Sequence, residues 1–317
     1  MKIFYHSADL DGHCSGAIVK ARYPKATLHP INYGQAFPWD SIQKDEEVFL
    51  VDFSLQPFED MERLNSLAKL HWIDHHVTAL KEAEQRNFLA SGGALLEVGR
   101  AGCELTWLYL YGTKKALPLT VYLLGRYDVF DLEASEDVLP FQYGIRQYDT
   151  DPEHQEFWQP LLAARSASHR IGSLLVQGRT LLQYIQQENA KKARALAFET
   201  FLRAPGLPPL RVIAINQGLT NSLIFDTVYN PSEHDAMATF CYRKDKWTVS
   251  LFTKSPDLDV SLYAKALGGG GHRQAAGFQV PSLEDIFSQF TPGSSPEPLS
   301  FEKPRKDTSC LPTASAS

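Results

Sequence analysis

The chain has 317 residues, 44% hydrophobic and 21% charged, with 37 acidic against 31 basic side chains and a net charge of −6. This composition fits a globular protein of about two domains and excludes a low-complexity chain, and no apolar run approaches the ~18 residues of a membrane span. The acidic excess argues against a long polyanion track, which needs a basic surplus, but two bound divalent cations would bring the total near neutral and leave room for a short phosphorylated ligand.

Lys2 to Tyr5 reads as a short apolar strand, followed at once by polar residues rather than the apolar core of a signal peptide. Cys14, Cys103, Cys241 and Cys310 have neither metal-finger nor CxxC spacing, so the expectation is a reducing cytoplasm and no disulfide framework. Gly12 to Tyr23 has helical spacing ended by Pro24, and Thr27 to Tyr33 fits a second strand. Glu47 to Phe53 is a buried-type strand bounded by charge. Pro57 to Leu67 forms an amphipathic helix with Phe58, Met61, Leu64 and Leu67 on one stripe, and an apolar strand then runs into Asp74. This alternation predicts an α/β fold, its N-terminal domain built on a mostly parallel sheet.

Helical, nearly all-apolar patterns follow from Gly102 to Gly112 and from Leu117 to Arg126. Asp149 to Pro160 is polar and breaker-rich, as for the start of an inter-domain connection. A long helix is predicted from Ser173 to Leu202, stopped by Pro205-Gly206-Leu207-Pro208-Pro209. A second βα pattern opens at Leu210–Ile215, with strands at Ala236–Tyr242 and Trp247–Thr253 and a helix from Val260 to Leu267 running into four glycines. After about Phe290 the composition turns to Pro, Ser, Thr and Lys, which predicts disorder. The expected division is a metal-binding domain over 1–150, a helical linker over 151–209, a smaller C-terminal α/β domain over 210–285 and a disordered tail over 291–317.

The chemistry sits at strand ends. His6-Ser7-Ala8-Asp9-Leu10-Asp11-Gly12 follows the first strand, Asp52 closes the third and Asp74-His75-His76 closes the fourth. Asp9 and Asp11 fall on one side if that segment is extended, and Gly12 permits a sharp turn into the helix. Each piece alone reads as a helix cap or an acidic turn. Together they put four carboxylates and three imidazoles on the carboxyl edge of one sheet, where open α/β folds hold ligands. Such a cluster repels itself unless cations occupy it. A mixed oxygen and nitrogen donor set suits Mn2+ best, with Mg2+ or Co2+ as alternatives.

His6-x-x-Asp9-x-Asp11-Gly12, Val51-Asp52-Phe53-Ser54 and Asp74-His75-His76 resemble the first three motifs of the DHH phosphoesterase family. Gly268-Gly269-Gly270-Gly271-His272-Arg273 through Ala275-Ala276-Gly277-Phe278 resembles the signature of its DHHA1 substrate domain. The resemblance spans about residues 1–285. It implies that His6 and Asp9 hold one cation, Asp11 and His75 the other, and that Asp52 bridges them. It further implies that His76 faces the scissile phosphate and that Asp74 orients its neighbours. A fourth motif would add Asp128 or Asp131, with Asp128 preferred. The spacing between His6 and Asp9 departs by one residue from many relatives, which leaves the register of the first site open. Arg100, before the small residues Ala101 and Gly102, is a candidate phosphate contact or an exposed arginine at a helix start.

Four glycines can turn backbone N–H groups inward as an anion nest, with His272 and Arg273 as further donors. Asn221-Ser222 reads as a solvated turn, and the remaining histidines as surface or satisfied polar groups. The resulting expectation is a metal-dependent exonuclease of the nanoRNase or oligoribonuclease kind, cutting short oligonucleotides to mononucleotides, with no membrane partner and no long nucleic-acid track. Alternatives are a phosphohydrolase acting on a dinucleotide, on 3′-phosphoadenosine 5′-phosphate or on polyphosphate, and a nucleotide-binding regulatory protein with a silent centre.

Overall fold

A computed structural model of the chain describes residues 1–166 and 168–289. The segment expected to be disordered, 291–317, lies outside the described residues. The chain divides into two compact units, Met1–Tyr184 and Ile185 onward.

The first unit runs β1 (Lys2–His6), α1 (Leu10–Arg22), β2 (Thr27–Ile31), β3 (Glu47–Val51), α2 (Glu59–Leu67), β4 (Lys69–Asp74), α3 (Val77–Gln85), β5 (Gly93–Leu96), α4 (Gly102–Tyr111), α5 (Leu119–Asp128), α6 (Val138–Ile145), α7 (Gln155–Ala163) and the first half of α8 (His169–Leu196). Its five strands are parallel throughout, in the order β2-β1-β3-β4-β5. Strand residues alternate between the two faces. Ile3, Tyr5, Phe49, Val51 and Ile73 pack with Val19 of α1 and Leu105 of α4. Phe4, Val48, Leu50, Leu70 and Trp72 pack on the other face with Met61 and Leu64 of α2 and Ala79 and Ala83 of α3. Both faces are therefore dry, which is why these strands read as continuous apolar runs. Register does the rest: Tyr5 is level with Val51 and Val51 with Ile73, so His6, Asp52 and Asp74 emerge side by side at one edge.

The segment expected to begin a linker belongs to the first unit instead. Phe157, Trp158 and Leu161 of α7 are at most 6% exposed and pack with Ile18, Phe141 and Leu174 in a second, all-helical layer. Burying three such side chains is worth roughly 1.5–3 kcal/mol each, which outweighs the ~3 kcal/mol set by Pro160 inside the helix. The same burial explains α6, which its Pro140 and Gly144 hide from a periodicity reading.

The second unit carries a seven-stranded mixed sheet, β10-β11-β9-β8-β7-β6-β12, built from β6 (Phe198–Leu202), β7 (Leu210–Asn216), β8 (Ala236–Arg243), β9 (Lys246–Phe252), β10 (Gly270–Gly271), β11 (Ala275–Val280) and β12 (Phe287–Gln289), with α9 (Val260–Ala266) against one face. Only β7 and β8 pair in parallel. The long helix was expected to reach Leu202 but stops at Leu196, and Phe198–Leu202 is a strand paired antiparallel to β7. Phe198-Glu199-Thr200-Phe201-Leu202 is rich in strand-favouring types, and pairing with β7 overrides the helical stripe preceding it. The expected linker, 151–209, is thus shared between the two units. No helix among the described residues is long and apolar enough to cross a membrane.

Candidate metal centre

Beyond β1 the chain turns sharply into α1. Asp9 is the N-cap and accepts a hydrogen bond from the Gly12 amide at 2.9 Å. A Cβ at position 12 would stand 1.9 Å from the His6 carbonyl oxygen, so only glycine permits this turn. Asp11 lies in the first helical turn and is 2% exposed. The segment is not extended, as the alternation of Asp9 and Asp11 assumed; helix geometry separates the two carboxylates into different parts of the cluster.

Two groups of donors result. His6 Nδ1 lies 3.0 Å from Asp9 Oδ2 and 3.6 Å from Asp52 Oδ2. His75 Nε2 lies 3.2 Å from Asp52 Oδ1, 3.4 Å from Asp128 Oδ2 and 3.9 Å from Asp11 Oδ2. In each of the sets His6, Asp9, Asp52 and Asp11, His75, Asp128 the donor atoms fall within 4.8 Å of one another. Asp52 turns one carboxylate oxygen to each group, and it does so from a positive φ of 54°, a conformation that non-glycine residues keep only where the surroundings enforce it.

The electrostatics of the cluster fit cations. Burial, with the charges of Asp11 and Asp9 added, pushes the Asp52 carboxyl well above the usual range. Burial and then Asp11 and Asp52 do the same to Asp128. Burial would lower His6, but hydrogen bonding to Asp52 and Asp9 outweighs it and pushes the imidazole up to about 10. Asp52 Oδ1 is buried and, among the described residues, accepts no hydrogen bond. Crowding of buried carboxylates, with Asp52, Asp128 and His6 all holding protons above their ordinary range, marks a donor set that divalent ions would satisfy.

Asp74, fully buried, accepts from the His75 amide (2.8 Å), the His76 amide (3.2 Å) and His76 Nδ1 (2.6 Å) on a single oxygen. Burial opposes the charge on His76, but the bond to Asp74 prevails and raises its pKa. His76 is thereby fixed in orientation and biased toward the cationic form.

Sequence reasoning missed three contributors. Asn32, just past β2, has its Oδ1 3.3 Å from His6 Nε2, on the opposite side of the ring from Asp9. The N-terminus of α4 donates two amides to Asp11, Gly102 at 2.6 Å and Cys103 at 2.8 Å, a helix-end anion contact. Arg126 of α5 pairs with Glu104 of α4 at 2.5 Å, tying the helix that holds Asp11 to the helix that carries Asp128. The small residues at 101–103 were the visible signal for the second of these; for the others there was none.

Of the two fourth-motif candidates, Asp128 joins the cluster, while Asp131 is exposed and pairs with Arg126 at 3.3 Å. Arg100 is exposed, with its guanidinium 3.1 Å from Glu97. The glycine run, described within its own unit, is not the open nest that four glycines suggested. The amides of Gly268, Gly269 and His272 donate to the carbonyls of Lys265, Ala264 and Ala275, and Gly270 and Gly271 form β10. A Cβ at Gly269 would stand 2.1 Å from the Gly277 carbonyl oxygen, so close packing against β11 demands glycine there. Arg273 donates to the Pro256 carbonyl. Asn221 caps the turn at Ser222–Phe225, as a solvated turn would. Among the other histidines, His13 bonds the Thr150 carbonyl at 2.9 Å and His71 bonds the Tyr109 hydroxyl at 2.7 Å.

No family model matches the chain. It is similar to the DHH domain of a member of the s1p family of ribosomal proteins, with a TM-score of 0.50 at 14% identity, over 87% of this chain and 81% of that one. It is also similar to a pGpG-specific phosphodiesterase, PggH, from Vibrio cholerae, with a TM-score of 0.49 at 12% identity over 90% and 94%. By sequence it resembles an uncharacterized protein, R106, of Acanthamoeba polyphaga mimivirus, 21% identical over 92% of this chain and 73% of the viral protein. The chain has the fold of a DHH domain.

Proposed function

We propose that this DHH-fold chain is a two-metal phosphodiesterase that hydrolyses short oligonucleotides to mononucleotides. The observation that carries the reading is Asp52, whose two carboxylate oxygens face two separate groups of donors. His6 and Asp9 would hold one divalent cation and Asp11, His75 and Asp128 the other, with Asp52 available to both; Mn2+ would suit these donors. When bound, the pair supplies an activated water and neutralises phosphate oxygens.

The chain's own groups do the rest. Asp11 is held by the α4 amides, so its carboxylate keeps its place without a flexible partner. His76, fixed through Nδ1 by Asp74, offers its other ring nitrogen as a donor where negative charge builds on the phosphate. Arg100 of the first unit is proposed to contact the substrate; within the second unit taken by itself, Gly268 to Gly271, His272 and Arg273 are proposed as a phosphate- or nucleotide-contacting segment. The acidic surplus of the chain favours short substrates over long strands.

Product analysis on 5′- and 3′-labelled RNA and DNA of graded length, with Mn2+ present, tests this. The expected result is mononucleotide release, fastest for the shortest chains and abolished in Asp11→Ala and His75→Ala. Turnover retained in either variant refutes the two-metal assignment, and a rate that rises with length refutes the substrate class.

A further inference from the structure

Beside the cluster, and wholly within the first unit, lies a cavity of about 300 Å3 that the catalytic reading leaves unused. Its walls include Tyr33, Phe37, Trp39 and Phe53, four aromatic side chains gathered from the segment after β2 and from the residue following Asp52. Gln56 and Asp60 also line it, and among the described residues no hydrogen bond engages their side chains. Tyr33 connects the cavity to the centre. Its ring lies 4.4 Å from Phe53, 5.7 Å from His6 and 6.4 Å from His76, and remains 39% exposed. The backbone that presents it is pinned at the metal side, because Asn32 Oδ1 accepts from the Tyr33 amide at 2.8 Å while it meets His6.

An exposed aromatic face next to a polar-edged slot is the chemistry that recognises a planar heterocycle, with stacking for affinity and free carboxamide and carboxylate groups for its edge. We infer that this pocket receives the base of the nucleotide whose phosphate is held at the centre, with Tyr33 as the stacking platform. The position of the phosphate rests on the phosphodiesterase reading; the affinity for a base does not. Stacking on one aromatic side chain should tighten binding about 5- to 150-fold.

The test is calorimetric titration of the Mn2+-loaded protein with AMP, ribose 5-phosphate and adenosine. AMP should bind about 5- to 150-fold more tightly than ribose 5-phosphate, Tyr33→Ala should abolish that difference, and Tyr33→Phe should retain it. Tyr33 is already part-exposed, so its truncation does not hollow the core, and an unchanged melting temperature confirms this. Equal binding of AMP and ribose 5-phosphate, or an undiminished difference in Tyr33→Ala, overturns the proposal. So does a Tyr33→Phe variant that behaves like the alanine, since the ring would then not be what binds. Should the protein cleave no phosphodiester and yet bind adenosine in a Tyr33-dependent way, the proposed activity fails and the base pocket stands. Cleavage without base dependence is the reverse case and overturns the pocket alone.

Discussion

Replacing Gly102 by alanine adds one methyl group where the start of α4 meets the cluster. The new Cβ would stand 2.7 Å from both Cβ and Oδ1 of Asp52, roughly 0.7 Å inside ordinary contact. Asp52 has little freedom to yield, since it is buried, sits at positive φ and donates its amide to Ile73 at 2.8 Å. The start of α4 must move instead, which lengthens the two amide bonds that fix Asp11. In stability the terms nearly offset: alanine gains up to ~1 kcal/mol over glycine in a helix, against about 1–3 kcal/mol for overpacking. The melting temperature should fall by only a few degrees. In activity nothing offsets the shift, and a displacement near 1 Å at a reacting centre costs about 100-fold. Turnover of a dinucleotide and Mn2+ affinity by calorimetry, measured beside a thermal melt, make the comparison. Wild-type affinity and turnover in Gly102→Ala would refute the claim that the α4 N-terminus positions Asp11.

Mn2+ must displace protons from His6, held up to about 10, and from the raised carboxyls of Asp52 and Asp128. Protons and cation compete for the same atoms, so affinity should rise with pH until His6 loses its proton near 10, and titrations in buffers of different ionisation enthalpy should show proton release; uptake or no exchange would contradict the donor assignment. Asp74→Asn keeps the shape but removes the charge that holds His76 cationic, and should lower turnover about 10- to 100-fold and move the alkaline limb of the rate profile that reports His76 to lower pH; an unmoved limb would mean that Asp74 does not set the charge on His76. Glu104→Gln weakens the tie from α4 to α5 and should reduce Mn2+ affinity more than stability, read by calorimetry against a melt; equal losses would mean that the pair is merely structural. Trp72→Ala, in the dry layer under α2 and α3, should cost about 3–5 kcal/mol in denaturant unfolding with a change in melting temperature far exceeding that of any site variant.

The parallel sheet was legible because strands buried on both faces are apolar runs, and a run that ends in Asp52 or in Asp74-His75-His76 announces its own functional edge. The long helix was misread at Phe198, and α7 was taken for a connection, since in both places a pairing strand or a receiving core outweighed local preference. The four glycines suggested a nest from composition alone, while their amides turn out to bond carbonyls of their own unit.

The sequence by itself determined which side chains could meet at one sheet edge, because side-chain alternation and strand order are local properties that periodicity records. Only the tertiary structure decided that Asp128 and not Asp131 joins them, that Asn32 backs His6, and that amides 91 and 92 residues along the chain hold Asp11. Those contacts depend on how helices pack, which is a sum over many distant apolar neighbours and leaves no mark on any short stretch of residues.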